Sequence, residues 1–153
     1  MFKKSTYVLV FTVLVAFSGV LMLRGRYPIG PLVLLMTVIP VAGLVLAGRS
    51  LVSALPDIIF GSIDTGLLTI PALWGGTMFG VAGAVAGGVV GDAITDSIAG
   101  MFEGGIAEWL RKKGIESARE PVSTSLGKMA GCLFGSGLIL TLALLVGIRP
   151  DFR

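Results

Sequence analysis

Five apolar runs follow one another along this chain, at 5–23, 29–48, 56–74, 77–102 and 129–148, each close to the length that crosses a bilayer. The hydrocarbon core takes about twenty helical residues to span. In lipid a segment must also satisfy its own backbone hydrogen bonds, so such runs are predicted to be helices. Only 14% of the 153 residues are charged, whereas soluble domains carry about 25%. Mean hydropathy is +0.95, and a chain this short could not cover a water-facing surface with so few polar groups. The fold expected is all-α: a polytopic membrane bundle of about five transmembrane helices in a single domain, 1–153, with a cytoplasmic loop at 103–128. The first run follows Lys3 and Lys4, as a signal peptide would. It ends in Leu23-Arg24-Gly25-Arg26 with no small-x-small cleavage site, so a retained helix is expected.

Glycine and proline punctuate the runs. Gly25, Pro28, Gly30 and Pro31 mark a tight turn after the first helix, and Pro40 predicts a bend in the second. Gly75-Gly76 is the expected turn between the third and fourth helices. Along the fourth, Gly76, Gly80, Gly83, Gly87 and Gly91 form a stripe of small residues, which lets another helix backbone approach closely, within the subunit or across a homodimer. Trp74 and Trp109 fall near the ends of this hairpin, where interfacial anchoring is the ordinary role. With five crossings, Lys3, Lys4, Arg49, Arg111, Lys112, Lys113, Arg119 and Lys128 share one side, and Arg24, Arg26, Arg149 and Arg153 the other. The larger basic set predicts a cytoplasmic N-terminus in a prokaryotic cell (inner) membrane, with membrane lipid as the surrounding partner.

Histidine is absent and cysteine occurs once, at Cys132. Ser-His-Asp catalysis, a disulfide within the chain and a multi-cysteine metal site are thereby excluded. The net charge of +3 reads as a topology signal rather than a nucleic-acid footprint, and no nucleic-acid partner is expected.

Against this background the aspartates stand out. Asp57 and Asp64 lie seven apart in the third run, and Asp92 and Asp96 four apart in the fourth, with Glu103 seven further on. Those spacings put each set on one helix face. A charged carboxylate at bilayer depth costs about 2.5–3.5 kcal/mol even on a lenient insertion scale. No basic residue lies in either run, so each carboxylate must be protonated, share a proton, bind a cation or line a water-filled cavity. With the turn at Gly75-Gly76, Asp64 is expected at the depth of Asp92, and Asp57 near Asp96, in an acidic column leading to the cytoplasmic mouth. Carboxylates suit hard or borderline divalent ions. Thr65, Thr69, Thr95 and Ser97 could add neutral oxygens, and Met78 or Met101 a softer ligand. Asp57, beside Pro56, also fits a helix cap. Gly61 to Gly66, followed by Pro71, fits either an unwound segment or an ordinary proline kink.

The stretch Asp57-Ile58-Ile59-Phe60-Gly61-Ser62-Ile63-Asp64-Thr65-Gly66-Leu67-Leu68-Thr69 resembles the opening of the vacuolar iron transporter family, and the glycine- and alanine-rich segment Gly80 to Glu108 resembles that family's second helix. The resemblance covers about a third of the chain. It implies a homodimer moving Fe²⁺ or Mn²⁺ against protons, with Asp64 on the ion path and Glu103 and Glu108 near its cytoplasmic mouth. Gly88-x₃-Asp92-x₃-Asp96 resembles the second half of the CDP-alcohol phosphotransferase motif, in which membrane aspartates bind metal and activate an alcohol. The first half of that motif needs an arginine, and Trp74 to Phe79 holds none.

The expected function is that of a small oligomeric transporter or channel for cations, possibly divalent metal (Fe, Mn or Mg) as substrate with proton coupling, and not an enzyme. Its expected site is Asp64, Asp92, Asp96 and Glu103, with Asp57, Thr69 and Glu108 as further candidates. The alternatives are a non-transporting membrane scaffold or accessory subunit, and a phosphotransferase-like enzyme.

Overall fold

The structure is a computed structural model that describes residues 2–114 and 120–148, apart from the side chains at 2–5, 99, 102–104, 106–107 and 110. It is all-helical among these residues: α1 (Phe2–Arg24), α2 (Ile29–Met36), α3 (Val38–Leu46), α4 (Leu51–Lys112) and α5 (Pro121–Leu145). Four stretches are long and apolar enough to cross a membrane by length and composition: Thr6–Arg24, Ile29–Leu46, Leu51–Ile98 and Pro121–Leu145.

The 62 residues of α4 are two rods rather than one. At Gly80 the backbone takes φ 65°, ψ −147°, a region essentially confined to glycine. The chain folds back there on itself. Beyond the hinge, Gly83 packs on Gly75, Gly87 on the Pro71 carbonyl, and Gly91 against Pro71 and Leu68. The expected turn at Gly75-Gly76 is therefore displaced by four residues. Gly75 and Gly76 stay helical, because Gly75 is needed as a flat surface for Gly83. The proposed small-residue stripe divides accordingly. Gly83, Gly87 and Gly91 close the hairpin and Gly76 lies beside Ala84, while Gly80 supplies the hinge itself and has open space around it.

The first rod is continuous through Gly61 to Gly66 and past Pro71. Of the two readings of that segment, the unwound one is excluded. Serine and threonine hydroxyls bond back into the helix, Ser62 Oγ donating to the Ile58 carbonyl at 2.6 Å and Thr69 Oγ1 to the Thr65 carbonyl at 2.6 Å. The helix also starts earlier than expected. Ser50 accepts the Val52 N–H on its Oγ at 3.2 Å, so Asp57 sits inside the helix and is not its cap.

The second run bends as predicted, but the break lies at Thr37, between α2 and α3. Pro40 cannot donate to the Met36 carbonyl, and its ring crowds that group. The chain adjusts three residues upstream, where the Thr37 N–H donates to the Leu34 carbonyl at 3.2 Å in a tighter turn. Much of the expected polar loop at 103–128 is helical as well, since α4 runs to Lys112 and α5 begins at Pro121.

Helix α5 packs on both α4 and the α2–α3 pair, which in turn holds α1. Its face toward α4 is glycine at four-residue intervals. A Cβ at Gly131 would collide with the Ile58 carbonyl and approach Ser62 N at 2.9 Å, and one at Gly135 would collide with the Ser62 carbonyl. Gly127 lies against Ala54 and Asp57, and Gly61 answers from α4 against the Lys128 carbonyl and Cys132. The other face of α5 admits α2 at Gly137, beside Leu34, and Gly30 of α2 beside Leu140 and Thr141. At the end where α3 leads into α4, Phe11, Leu44, Ala54, Val122 and Leu126 form a buried core. An ion pair between Arg49 and Glu120 ties the α3–α4 connection to the start of α5 at that same end.

Two substitutions test this packing. Gly131→Leu should lower the unfolding free energy by at least about 1–3 kcal/mol, because the obstructing atoms are backbone and cannot move aside. Gly80→Ala should cost about 1–3 kcal/mol through backbone strain alone. Reversible denaturation in mixed micelles, monitored by circular dichroism, measures both, and unchanged midpoints would contradict the close approach and the hinge.

Candidate functional site

Folding α4 at Gly80 brings three carboxylates together. One oxygen each of Asp64, Asp92 and Asp96 lies within 4.8 Å of the other two. Asp64 and Asp96 are both sixteen residues from the hinge, about 24 Å along their rods, and Asp92 is about 18 Å from it. Asp92 and Asp96 are one turn apart on the second rod, so both present to Asp64 across the hairpin. The side chains differ in setting. Asp64 is only 6% exposed, whereas Asp92 and Asp96 are exposed.

Asp64 Oδ1 is fully buried with no hydrogen-bond partner among the described residues. A buried polar atom left unpaired costs roughly 1–3 kcal/mol, and more when charged. No lysine or arginine occurs anywhere between Arg49 and Arg111. On α5, Lys128 is turned elsewhere, with its Nζ 5.5 Å from the centre of the Phe60 ring. The trio is thus a concentration of carboxyl groups whose most buried member is incompletely satisfied by the described residues.

The remaining candidates separate from it. Asp57 faces α5, with its Cβ 3.1 Å from where a Cβ on Gly127 would stand, and it is not a member of the cluster. The expected pairing of Asp57 with Asp96 is corrected, because the displaced hinge sets Asp96 opposite Asp64 instead. Glu108 is exposed and pairs with Lys112 at 3.0 Å, one turn along its own helix. The side chain of Glu103 lies outside the described residues. Met78 stands exposed near the hinge and Met101 is 79% exposed. Thr95 is buried and donates to the Asp92 carbonyl at 3.2 Å.

Thr69 is buried and belongs to a hydroxyl pair linking α4 to α5. Its Oγ1 lies 2.9 Å from Ser136 Oγ, which in turn reaches the Thr65 carbonyl at 3.3 Å. These groups floor a cleft of about 1130 Å³ between the second rod of α4 and the α2–α5 pair. It runs from Gly80 and Val81 at the hinge to Asp92 at its other end, along walls that are mostly aliphatic. Sequence reasoning missed Ser136 and the cleft. Nothing in the spacing of α5 marks Ser136, since its role arises only when Gly135 lets the two backbones meet.

Carboxylates within 4.8 Å of each other, one of them buried and under-bonded, can do one thing well: hold a positive charge. Comparison with family models, curated proteins and solved structures returns no match to this chain. Asp64→Asn should raise the thermal unfolding midpoint of the metal-free protein, since a neutral amide is cheaper than a carboxylate to bury beside two others. Differential scanning fluorimetry checks this, and a lowered midpoint would mean that the carboxylate is already compensated within the fold.

Proposed function

We propose that this chain is a small integral membrane protein that moves cations, with Asp64, Asp92 and Asp96 as the intramembrane binding site. One observation carries the reading: three carboxylates come within 4.8 Å of one another, one of them on a buried side chain with an unpartnered oxygen, in a stretch with no lysine or arginine between Arg49 and Arg111. Because α4 folds back at Gly80, its two rods would cross the bilayer separately, giving five crossings in all. The N-terminus and the packed end of the bundle would face the cytoplasm of a prokaryotic cell, and the hinge would face outward. The trio, about 18–24 Å from the hinge, would then lie within a hydrocarbon core about 30 Å thick.

At that depth a transported cation would replace its water with carboxylate oxygens, and Mn²⁺, Fe²⁺ and Mg²⁺ fit such ligands. Protons compete for the same oxygens, which supplies a route to proton coupling without a further residue. The resemblance to vacuolar iron transporters points the same way and supports a two-fold assembly. Neither reading requires a chemical step, so the protein is proposed not to be an enzyme. The second reading, an accessory subunit whose acidic hairpin pairs with basic groups of a partner, draws on the exposure of Asp92 and Asp96.

Binding and flux decide between them. Wild-type protein in nanodiscs should bind Mn²⁺ with one site per acidic trio, read by electron paramagnetic resonance. Asp64→Asn and Asp92→Asn should each weaken that binding at least tenfold and abolish Mn²⁺ uptake into proteoliposomes. Binding in the wild type should also fall on acidification, as protons take the oxygens. Flux that survives both substitutions would remove the trio from the path, and binding without any flux would favour the accessory role.

A further inference from the structure

The three carboxylates differ in what surrounds them. Asp64 is buried, and its Oδ1 has no partner among the described residues. Asp92 and Asp96 are both exposed, yet of the trio it is Asp92 that also lines the cleft running back to the hinge. Asp92 is the member nearest Gly80, by four residues or about 6 Å along the rod. It is therefore the junction between cluster and cleft. Away from the hinge the bundle is filled instead, by the core of Leu44, Ala54, Val122 and Leu126.

The cleft suits water better than its aliphatic walls suggest. An ionisable side chain at bilayer depth faces the bundle interior or a water-filled cavity, and the cavity that Asp92 faces is this one. Thr69 and Thr77 line it too. Each spends its hydroxyl proton on a carbonyl of its own helix, Thr65 at 2.6 Å and Trp74 at 2.8 Å. What remains on these oxygens is acceptor capacity, which serves water or a cation. The volume of about 1130 Å³ gives room for on the order of thirty waters at about 30 Å³ each. Gly88, one turn from Asp92, lines the cleft with nothing within 4 Å of where its Cβ would stand, so the approach to the carboxylate is open.

We infer that the cleft is the aqueous entrance to the cation site from the hinge side, Asp92 being the carboxylate an arriving ion meets first and Asp64 the one that holds it. The inference rests on the cation-binding reading above and gives that site its route of access.

Substituted thiols test the route in the full chain, with Cys132→Ala as background. Gly88→Cys places a thiol in the cleft, and Val90→Cys places one at nearly the same depth, on an exposed position that does not line it. Thiols react as thiolates, which apolar surroundings suppress. In nanodiscs a water-soluble cationic methanethiosulfonate should modify Gly88→Cys at least tenfold faster than Val90→Cys. Saturating Mn²⁺ should slow the Gly88→Cys reaction at least threefold. Phe79 stands exposed beside the hinge, so in sealed proteoliposomes one face should serve both thiols of the double variant Phe79→Cys/Gly88→Cys. Intact mass spectrometry should then find two adducts or none on each molecule. Equally slow reaction at Gly88→Cys and Val90→Cys would mean that a lipid tail or a neighbouring helix fills the cleft, and would overturn the entrance. Singly modified molecules would overturn it too, as would a Gly88→Cys rate indifferent to bound Mn²⁺. Any of these results, with Mn²⁺ still bound and lost in Asp64→Asn, leaves the cation site standing. Failure of folded wild-type protein to bind Mn²⁺ would discard both.

Discussion

Contact between bare helix backbones, made at glycine, is what the rest of this molecule depends on. For helices that lie in lipid, which four stretches here are long and apolar enough to do, apolar side chains gain little by leaving one neighbour for another, so such helices are held by dispersion, hydrogen bonds and shape. Gly83 and Gly87 seat the second rod of α4 on Gly75 and Pro71, while Gly131 and Gly135 seat α5 on Ile58 and Ser62. The first set fixes which residues face each other across the hairpin and so unites Asp64 with Asp92 and Asp96. The second set brings the Ser136 hydroxyl to Thr69. Both polar features of the site are thus consequences of where side chains are missing.

The two ends of the bundle are built differently. Around Leu44 and Leu126, both wholly buried, aliphatic packing and the Arg49–Glu120 pair close the structure. Toward Gly80 the second rod packs on its hairpin partner along the glycine face, and the cleft lies between it and α2 and α5. The carboxylates lie between these regimes, with compact structure on one side and an open, mostly aliphatic cleft on the other. One end of the bundle thus has open space beside it, and the other is filled by side chains.

Much of this architecture was legible in the residues. The length of the apolar runs gave the helices, and the four-residue interval between Asp92 and Asp96 correctly put both on one face. The hinge was not legible. Gly75-Gly76 and Gly80 are equally permissive in isolation, and only the fit of Gly75 against Gly83 decides which of them turns. That error of four residues carried into the depth comparison and paired Asp57 with Asp96. The series Gly127, Gly131 and Gly135 carried the same signal as the stripe in α4, yet it lay partly in what was read as a polar loop, because Lys128 interrupts it. Ser136 and the cleft are products of the tertiary arrangement and have no counterpart in local spacing.

One feature has mechanical weight beyond its role as a turn. The rods of α4 are joined by a single non-helical residue, with no linker to absorb movement, and Asp64 and Asp96 sit about 24 Å away along stiff arms. A rotation of about 10° at Gly80 would sweep those carboxylates apart by roughly 4 Å, comparable to their whole present spacing. Geometrically the hairpin resembles tweezers with a long throw, in which a small torsion at the pivot would become a large separation of the tips. What holds the tips together is the glycine seam between them and the pivot, so the spacing of the carboxylates is set by residues outside the cluster.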